Sequence, residues 1–289
     1  MFQSRKFLEF PSMKEAVISR DLEATFMIVP LAMKLAADGV PVKIVYLGHR
    51  DGTVLMVGKD SSIHDFGGLR GKKVAIPSRF SNQNLLMLRM MKQWQMEQGS
   101  ITFLEMAPPD MPAALQAGAI DGYIVGEPHA ARSELGGWGR PLYFTKDIWP
   151  NFISCALVVR QELIDEHRDL VQELVDGIAT SGEWLDQDVK EGAQHRMKAA
   201  DIAGPAFYNQ DPKLLKFVLS RPLDRVKYTE LTPLAANFDE IMDLAFSEGL
   251  IQKRMAFEQY VDDSFARNTK HADLPYDTMP LPGEKGRKP

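Results

Sequence analysis

Apolar positions along the chain alternate between two spacings, one suited to strands and one to helices, and the alternation continues for about two hundred residues. After Pro11 and Ser12, which signal a helix start, a helix is predicted from Lys14, followed by a short buried strand over residues 22–27. Pro30 opens the next helix, Leu31, Met33, Leu35 and Ala36 fill its apolar face, and Gly39 ends it. VKIVYL (residues 42–47) and TVLMVG (53–58) are β-branched and bounded by Pro or Gly, so both read as sheet strands. The pattern then restarts: a short helix over 63–69, a turn, the strand KVAIP (73–77), the loop SRFSNQN, and a long helix from Leu85 to about Gln98. ITFLEM (101–106), MPAALQAG (111–118) and DGYIVG (121–126) add strand, helix and strand. Such alternation predicts parallel strands joined by right-handed crossovers. SCALVV (154–159) supplies a further strand, after which helices are expected over 161–186, 187–200, 211–219 and 233–248. The last thirty residues gain Pro, Lys and Gly and lose periodicity, the pattern of a loosely held tail.

Length and composition narrow the class. The chain has 289 residues, enough for two α/β lobes, with 45% hydrophobic and 25% charged residues and neither a repeat of fixed period nor a membrane-length apolar run. A net charge of -5, with both signs interspersed, leaves no basic footprint for nucleic acid. One cysteine, Cys155, excludes an internal disulfide and a cysteine-cluster metal site. The start, MFQSRKFLEFPSMKEAV, has no signal-peptide core, which points either to a cytoplasmic protein or to a start that is not the natural one.

In α/β folds ligands bind where strands end, so loops after strands are the candidate sites. In the loop 78–84, free backbone N–H groups at the helix start, with Ser78, Arg79, Ser81 and Gln83, form an oxygen-binding corner; helix capping accounts for the Ser residues but not for Arg79 or Gln83. The loop VGEPHA (125–130) carries Glu127, which fits a structural role at a helix start, and His129, which reads either as a solvated or satisfied ring or as a ligand contact. HRDGT (49–53) has two readings of equal weight, a turn at Asp51-Gly52 and a ligand contact through Asp51, Gly52 and Thr53, with Ser154 and Cys155 on the returning strand beside it. Pro30, at the head of its helix, joins the candidate ligand-binding set. Signatures of hydrolases, zinc peptidases, phosphate loops and dinucleotide sites are missing, so no catalytic residue, metal ligand or cofactor is expected.

Taken in order, GLRGKKVAIPSRFSNQNLL (68–86), PPDMPAALQAGAIDGYIVGEPHAAR (108–132) and DIWPNFISCALVVRQELID (147–165) resemble the nitrate, sulfonate, taurine and bicarbonate group of ABC-transporter substrate-binding proteins, the NMT1/THI5-like family. The resemblance runs from about Phe7 to Ala266. It implies an α/β, two-lobed type II periplasmic-binding-protein fold with parallel-rich sheets, two crossover strands (53–59 and 154–160) and a helical C-terminal portion. Residues 1–58 and 158–289 would form lobe one and residues 59–157 lobe two. The implied function is capture of a small polar or organic-anion ligand between the lobes for an ABC permease, in the periplasm, with no cofactor, no nucleic acid and no membrane span. The resemblance implies an opening strand and helix ahead of the segment matching FLEFPSMKEAV; their lack after Met1 is expected to mean either a start that is not the natural one or a member with a reduced site. Nitrate-binding relatives place a Lys near Cys155 and a His near Gln83; their absence disfavours bare nitrate. Two alternatives remain: a cytoplasmic sensor built on the same clamp, and a THI5-like pyrimidine-synthesis enzyme, whose cysteine-rich iron motif a single cysteine cannot make.

Overall fold

Strand β1 (Ala24–Met27) leads directly into a helix because Pro30 is suited to a first helical turn, and the order continues in a computed structural model that describes residues 2–203 and 210–270. The amino-terminal half contains α1 (Phe10–Ile18), β1, α2 (Val29–Ala37), β2 (Val42–Asp51), β3 (Thr53–Gly58), β4 (Lys73–Ile76), α3 (Asn82–Gln93), β5 (Thr102–Glu105), α4 (Met111–Gln116) and β6 (Gly122–Gly126). Then come α5 (His129–Gly136), β7 (Gly139–Phe144), α6 (Thr145–Ile148) and β8 (Ile153–Arg160). The remainder is helical apart from one short strand: α7 (Gln161–Glu166), α8 (Arg168–Gln187), α9 (Gln194–Ala203), α10 (Pro212–Ser220), β9 (Val226–Lys227), α11 (Ala235–Ser247), α12 (Phe257–Tyr260) and α13 (Ser264–Arg267). The helix expected over 161–186 is broken at His167, whose φ of -141° is extended. Residues 271–289, most of the expected loose tail, lie outside the described residues.

These strands form two sheets, in the orders β1-β8-β2-β9 and β5-β4-β6-β3-β7. Parallel pairing, expected to predominate, is confined to β4 with β5 and β6; β3 runs antiparallel to β6 and β7, and every pair in the first sheet is antiparallel. The reason lies in the connections. Parallel neighbours need a crossover such as α3, whereas β8 returns from the second sheet running opposite to β1 and β2 and is inserted between them.

The chain passes from the first sheet to the second at Asp51-Gly52, where φ is +58° and then +70°, and returns along residues 145–152. Ser154–Arg160, expected to be a crossover, pairs wholly within the first sheet, and Thr53–Gly58 pairs wholly within the second. The expected division at 58/59 therefore lies at the far end of β3 from the first passage, and that at 157/158 lies inside β8.

Strand β3 is apolar on both faces because helices cover both. Leu55 and Val57 pack into one core with Phe66, Ile76 and Leu85, while Val54 and Met56 enter another with Met111, Tyr123 and Val125. A third cluster joins the second sheet's periphery to the carboxyl-terminal helices: Ala131 of α5 packs against Leu214 and Val218 of α10 and Val226 of β9. Gly182 lets α8 approach the backbone of Tyr228; a Cβ there would lie 2.2 Å from Tyr228 O.

Candidate functional site

Buried polar side chains converge where the chain passes between the sheets. Helix α3 begins beneath this junction. Ser81 is its N-cap: its Oγ accepts from Asn84 N–H at 3.0 Å and donates to Ser78 O at 2.6 Å. Ser78 Oγ in turn accepts from Phe80 N–H, so both serines hold the loop. The next two residues point across the junction. Asn82 Nδ2 donates to the carbonyl of Ile153 and, at 3.4 Å, to that of Ser154, tying α3 to β8 of the other sheet. Gln83 Nε2 donates to Thr53 Oγ1 at 3.3 Å, and Thr53 O accepts from Thr145 Oγ1 at 3.0 Å. Asn82 Oδ1 and Gln83 Oε1 are buried with no hydrogen-bond partner from the protein, as are His49 Nδ1, Asp51 Oδ1 and His129 Nδ1. Orphaned buried polar atoms are costly, so such a concentration marks a place built for something other than packing.

Gly126, at the end of β6, faces the same point. Its partner across the sheet is Thr53, and Glu127 N–H donates to Gly52 O at 2.8 Å. A methyl group on Gly126 would have Gly52 O and Ser154 Oγ at 3.9 Å and Thr53 Oγ1 at 4.0 Å as its nearest neighbours, so three oxygen atoms border this glycine at ordinary van der Waals distance.

The titratable groups around the junction are mostly uncharged. Burial pushes His49 and His129 down to about 4, with Arg132 and Lys6 adding to the effect on His129. Burial raises Asp51 to about 6, against the pull of Arg50, Lys227 and Lys146. Cys155, opposite His49 in the β2–β8 register, is pushed up to about 12, so its thiol stays protonated.

The expected residues divide accordingly. Gly52, Thr53 and Gln83 meet at the junction, with Asp51 and Cys155 adjoining it on β2 and β8. Arg79 does not reach it: its side chain is 67% exposed and sits 3.9 Å from Glu105. Glu127 is engaged elsewhere, for its Oε1 accepts from Arg225 Nε at 2.6 Å and its Oε2 from Ala131 N–H at 2.9 Å. Pro30 is buried in the first turn of α2. Ser154, read from the sequence as lying beside the 49–53 loop, also borders the junction, as do Asn82 and Gly126, which stand in the candidate loops 78–84 and 125–130 without having been nominated individually. Asn82 carried the signal, as the second of two amides preceding an apolar helix, and Ser154 stands beside the cysteine that was selected. Among the described residues, no group of three or more His, Cys, Asp or Glu side chains is arranged to hold a metal, and no helix is long and apolar enough to cross a membrane.

Comparison with known proteins places this architecture. The NMT1-like family matches residues 5–204. The chain belongs to the NMT1-like family. A putative aliphatic sulfonates-binding protein of Escherichia coli is 32% identical over 264 residues, 88% of this chain and 78% of that protein. The taurine-binding periplasmic protein of Escherichia coli is 27% identical over 203 residues, 63% of this chain but only 59% of the relative's length. Among solved structures, the zinc-bound ligand-binding component of an ABC-type import system from Staphylococcus aureus superimposes with a TM-score of 0.80 at 29% identity, covering 93% of this chain and 88% of that one. The NMT1-like chain thus has the two-lobed periplasmic-binding-protein fold, with its polar junction where the lobes meet.

Proposed function

We propose that this NMT1-like protein is the solute-binding receptor of an ABC import system, holding a small polar or organic-anion ligand at the junction of its two lobes and delivering it to a permease, in the periplasm. The observation that carries this reading is the pair of buried, unpartnered amide oxygens, Asn82 Oδ1 and Gln83 Oε1, beside the passage between the sheets. The names of its relatives agree with it. Binding rather than catalysis is supported by burial that keeps the Cys155 thiol protonated and makes His49 and His129, lowered to about 4, weak bases. Among the described residues, the buried guanidinium groups beside the passage are committed, that of Arg225 to Glu127 and Glu134 and that of Arg50 to the carbonyls of Glu230, Asn151 and Thr232. A compact inorganic anion such as nitrate is therefore a poor ligand, and an organic molecule with several hydrogen-bonding groups a good one. The test is isothermal calorimetry with taurine, ethanesulfonate, β-alanine, propionate and nitrate. Saturable binding of an organic compound, weakened by Gln83→Leu, supports the receptor reading; binding of nitrate alone, or of none of the five, overturns it.

A further inference from the structure

Strand β1 stands at the edge of the first sheet, and its outer side is open. Arg160 N–H donates to Glu23 O at 2.9 Å, and Ala24 to Met27 run opposite Val159 to Ala156. Hydrogen-bonded pairs alternate along an antiparallel ladder, so Thr25 and Met27 face β8 as Glu23 does, while Ala24 and Phe26 turn their N–H and C=O groups away from it. Among the described residues no strand pairs with that outer side, and the Phe26 carbonyl accepts only from the adjacent Thr25 hydroxyl, at 3.5 Å. Such a row of outward donors and acceptors is a template for another strand.

The side chains beside this edge are apolar. Phe26, 42% exposed, and Phe2, 50% exposed, border a groove whose other wall is Leu174, Ile178 and Leu185 of α8; a Cβ on Gly177, between them, would meet nothing within 4 Å. Leu8, 60% exposed, precedes α1, and Ile18, 44% exposed, ends it just before the chain turns into β1. At about 200 Å² for a fully exposed side chain of this size, the four present about 400 Å² of apolar surface, half of the ~800 Å² that each partner buries in a stable dimer.

We infer that the outer edge of β1 pairs with the same edge of a second copy of this chain. A two-fold axis at Thr25 sets the two strands antiparallel with Ala24 of one copy opposite Phe26 of the other, and this register joins the outward groups in four N–H···O=C bonds. Ala24 and Phe26 lie on one face of the strand, so each Phe26 ring packs over the small Ala24 of the other copy, at the mouth of the apolar groove. The edge is thus its own complement in hydrogen bonding and in size, and two four-stranded sheets become one. The inference is independent of the receptor reading.

The experiment is sedimentation velocity on the whole chain from about 1 µM to about 100 µM. The wild type is expected to pass from one chain to two across that range. Ala24→Pro removes an outward N–H that the single chain does not use, a change tolerated on a strand edge, and Phe26→Lys places a charge on the paired face. Each is expected to weaken association about tenfold or more while leaving the melting temperature of the dilute protein unchanged, and Phe26→Leu to keep association within about threefold of wild type. A wild type that stays a single chain at the highest concentration overturns the inference, as does a dimer that both Ala24→Pro and Phe26→Lys leave intact. Should Ala24→Pro fail to fold, Phe26→Lys beside Phe26→Leu decides.

Discussion

Replacing Arg225 with methionine removes a guanidinium that is completely buried and leaves behind the acids it neutralises. Its Nε donates to Glu127 at 2.6 Å, Nη2 to Glu134 at 2.8 Å, and Nη1 to Arg221 O at 2.7 Å, with the rings of Phe144 and Phe217 on either side. Glu127 is only 4% exposed, so its carboxylate would be stranded in a dry site, whereas Glu134, at 27%, would keep partial hydration. Removing one partner of a buried pair costs about 3–5 kcal/mol, and that range is expected here in urea unfolding. Burial already holds the Glu127 carboxyl above the ordinary carboxylate range despite the nearby arginine, and without Arg225 it rises further. Because its folded pKa then lies above its unfolded pKa, the folded state gains from protonation: the deficit should be smallest at acidic pH and grow as pH rises through the folded value. The double variant Arg225→Met/Glu127→Gln should recover more than about 1 kcal/mol relative to the sum of the single effects. A loss below about 1 kcal/mol, or one that is the same at pH 5 and pH 8, would refute the reasoning.

Further predictions concern single positions. Asp121→Ala should cost about 1–2 kcal/mol and leave ligand affinity unchanged, because its Oδ2 accepts from Lys73 N–H at 2.8 Å at the start of β4, far in role from the junction; chemical denaturation beside calorimetry checks both halves. Gly182→Ala should destabilise by about 1–3 kcal/mol or more, since its Cβ would collide with Tyr228 O, and a melting temperature within a degree of wild type would contradict the packing described. Arg79→Ala should change stability by less than about 0.5 kcal/mol, given an exposed pair at 3.9 Å. His49 and His129, held near 4 in the folded state, bind protons more readily when unfolded, so their contribution to stability is present above about 6.5 and is lost as pH falls towards 4; Asp51, raised to about 6, works in the opposite direction. Thermal melts from pH 7 to pH 4 should therefore decline more steeply for the wild type than for His49→Asn/His129→Asn.

Much of the fold was legible because its strands are dense in β-branched residues and its helices announce their ends. TVLMVG became β3 with the expected bounds, and Ser81 capped α3 as its position ahead of an apolar run implied. Strand β7 was not legible: Pro141 and Arg140 obscure its pattern, and proline is tolerated there because β7 is the edge of its sheet. The two-residue strand β9 exists only through its pairing with Arg50 and Asp51, far away in sequence. The buried arginines were hidden for the same reason. Arg225 reads as a surface residue until Glu127, 98 positions earlier, is placed against it, and Arg196 gives no local sign that its guanidinium will bond to carbonyls of Leu219, Leu223 and Val226. At the junction, Thr53 and Gln83 could be nominated from their loops, but only the three-dimensional arrangement brings Ser154, Gly126 and Asn82 to them.

The neighbourhood of Gly52 has a mechanical consequence. Its N–H donates to Arg225 O, its carbonyl accepts from Glu127 N–H, and Arg225 and Glu127 are joined side chain to side chain. A fully buried ion pair between the second sheet and the carboxyl-terminal segment thus lies beside the point where the polypeptide itself passes between the sheets. A fastening on a rotation axis has almost no lever arm: it opposes sliding and shear, yet yields little torque against a swing about that axis. An ion pair placed so close to the Asp51-Gly52 passage would resist sliding of one sheet past the other far more than a swing about that passage.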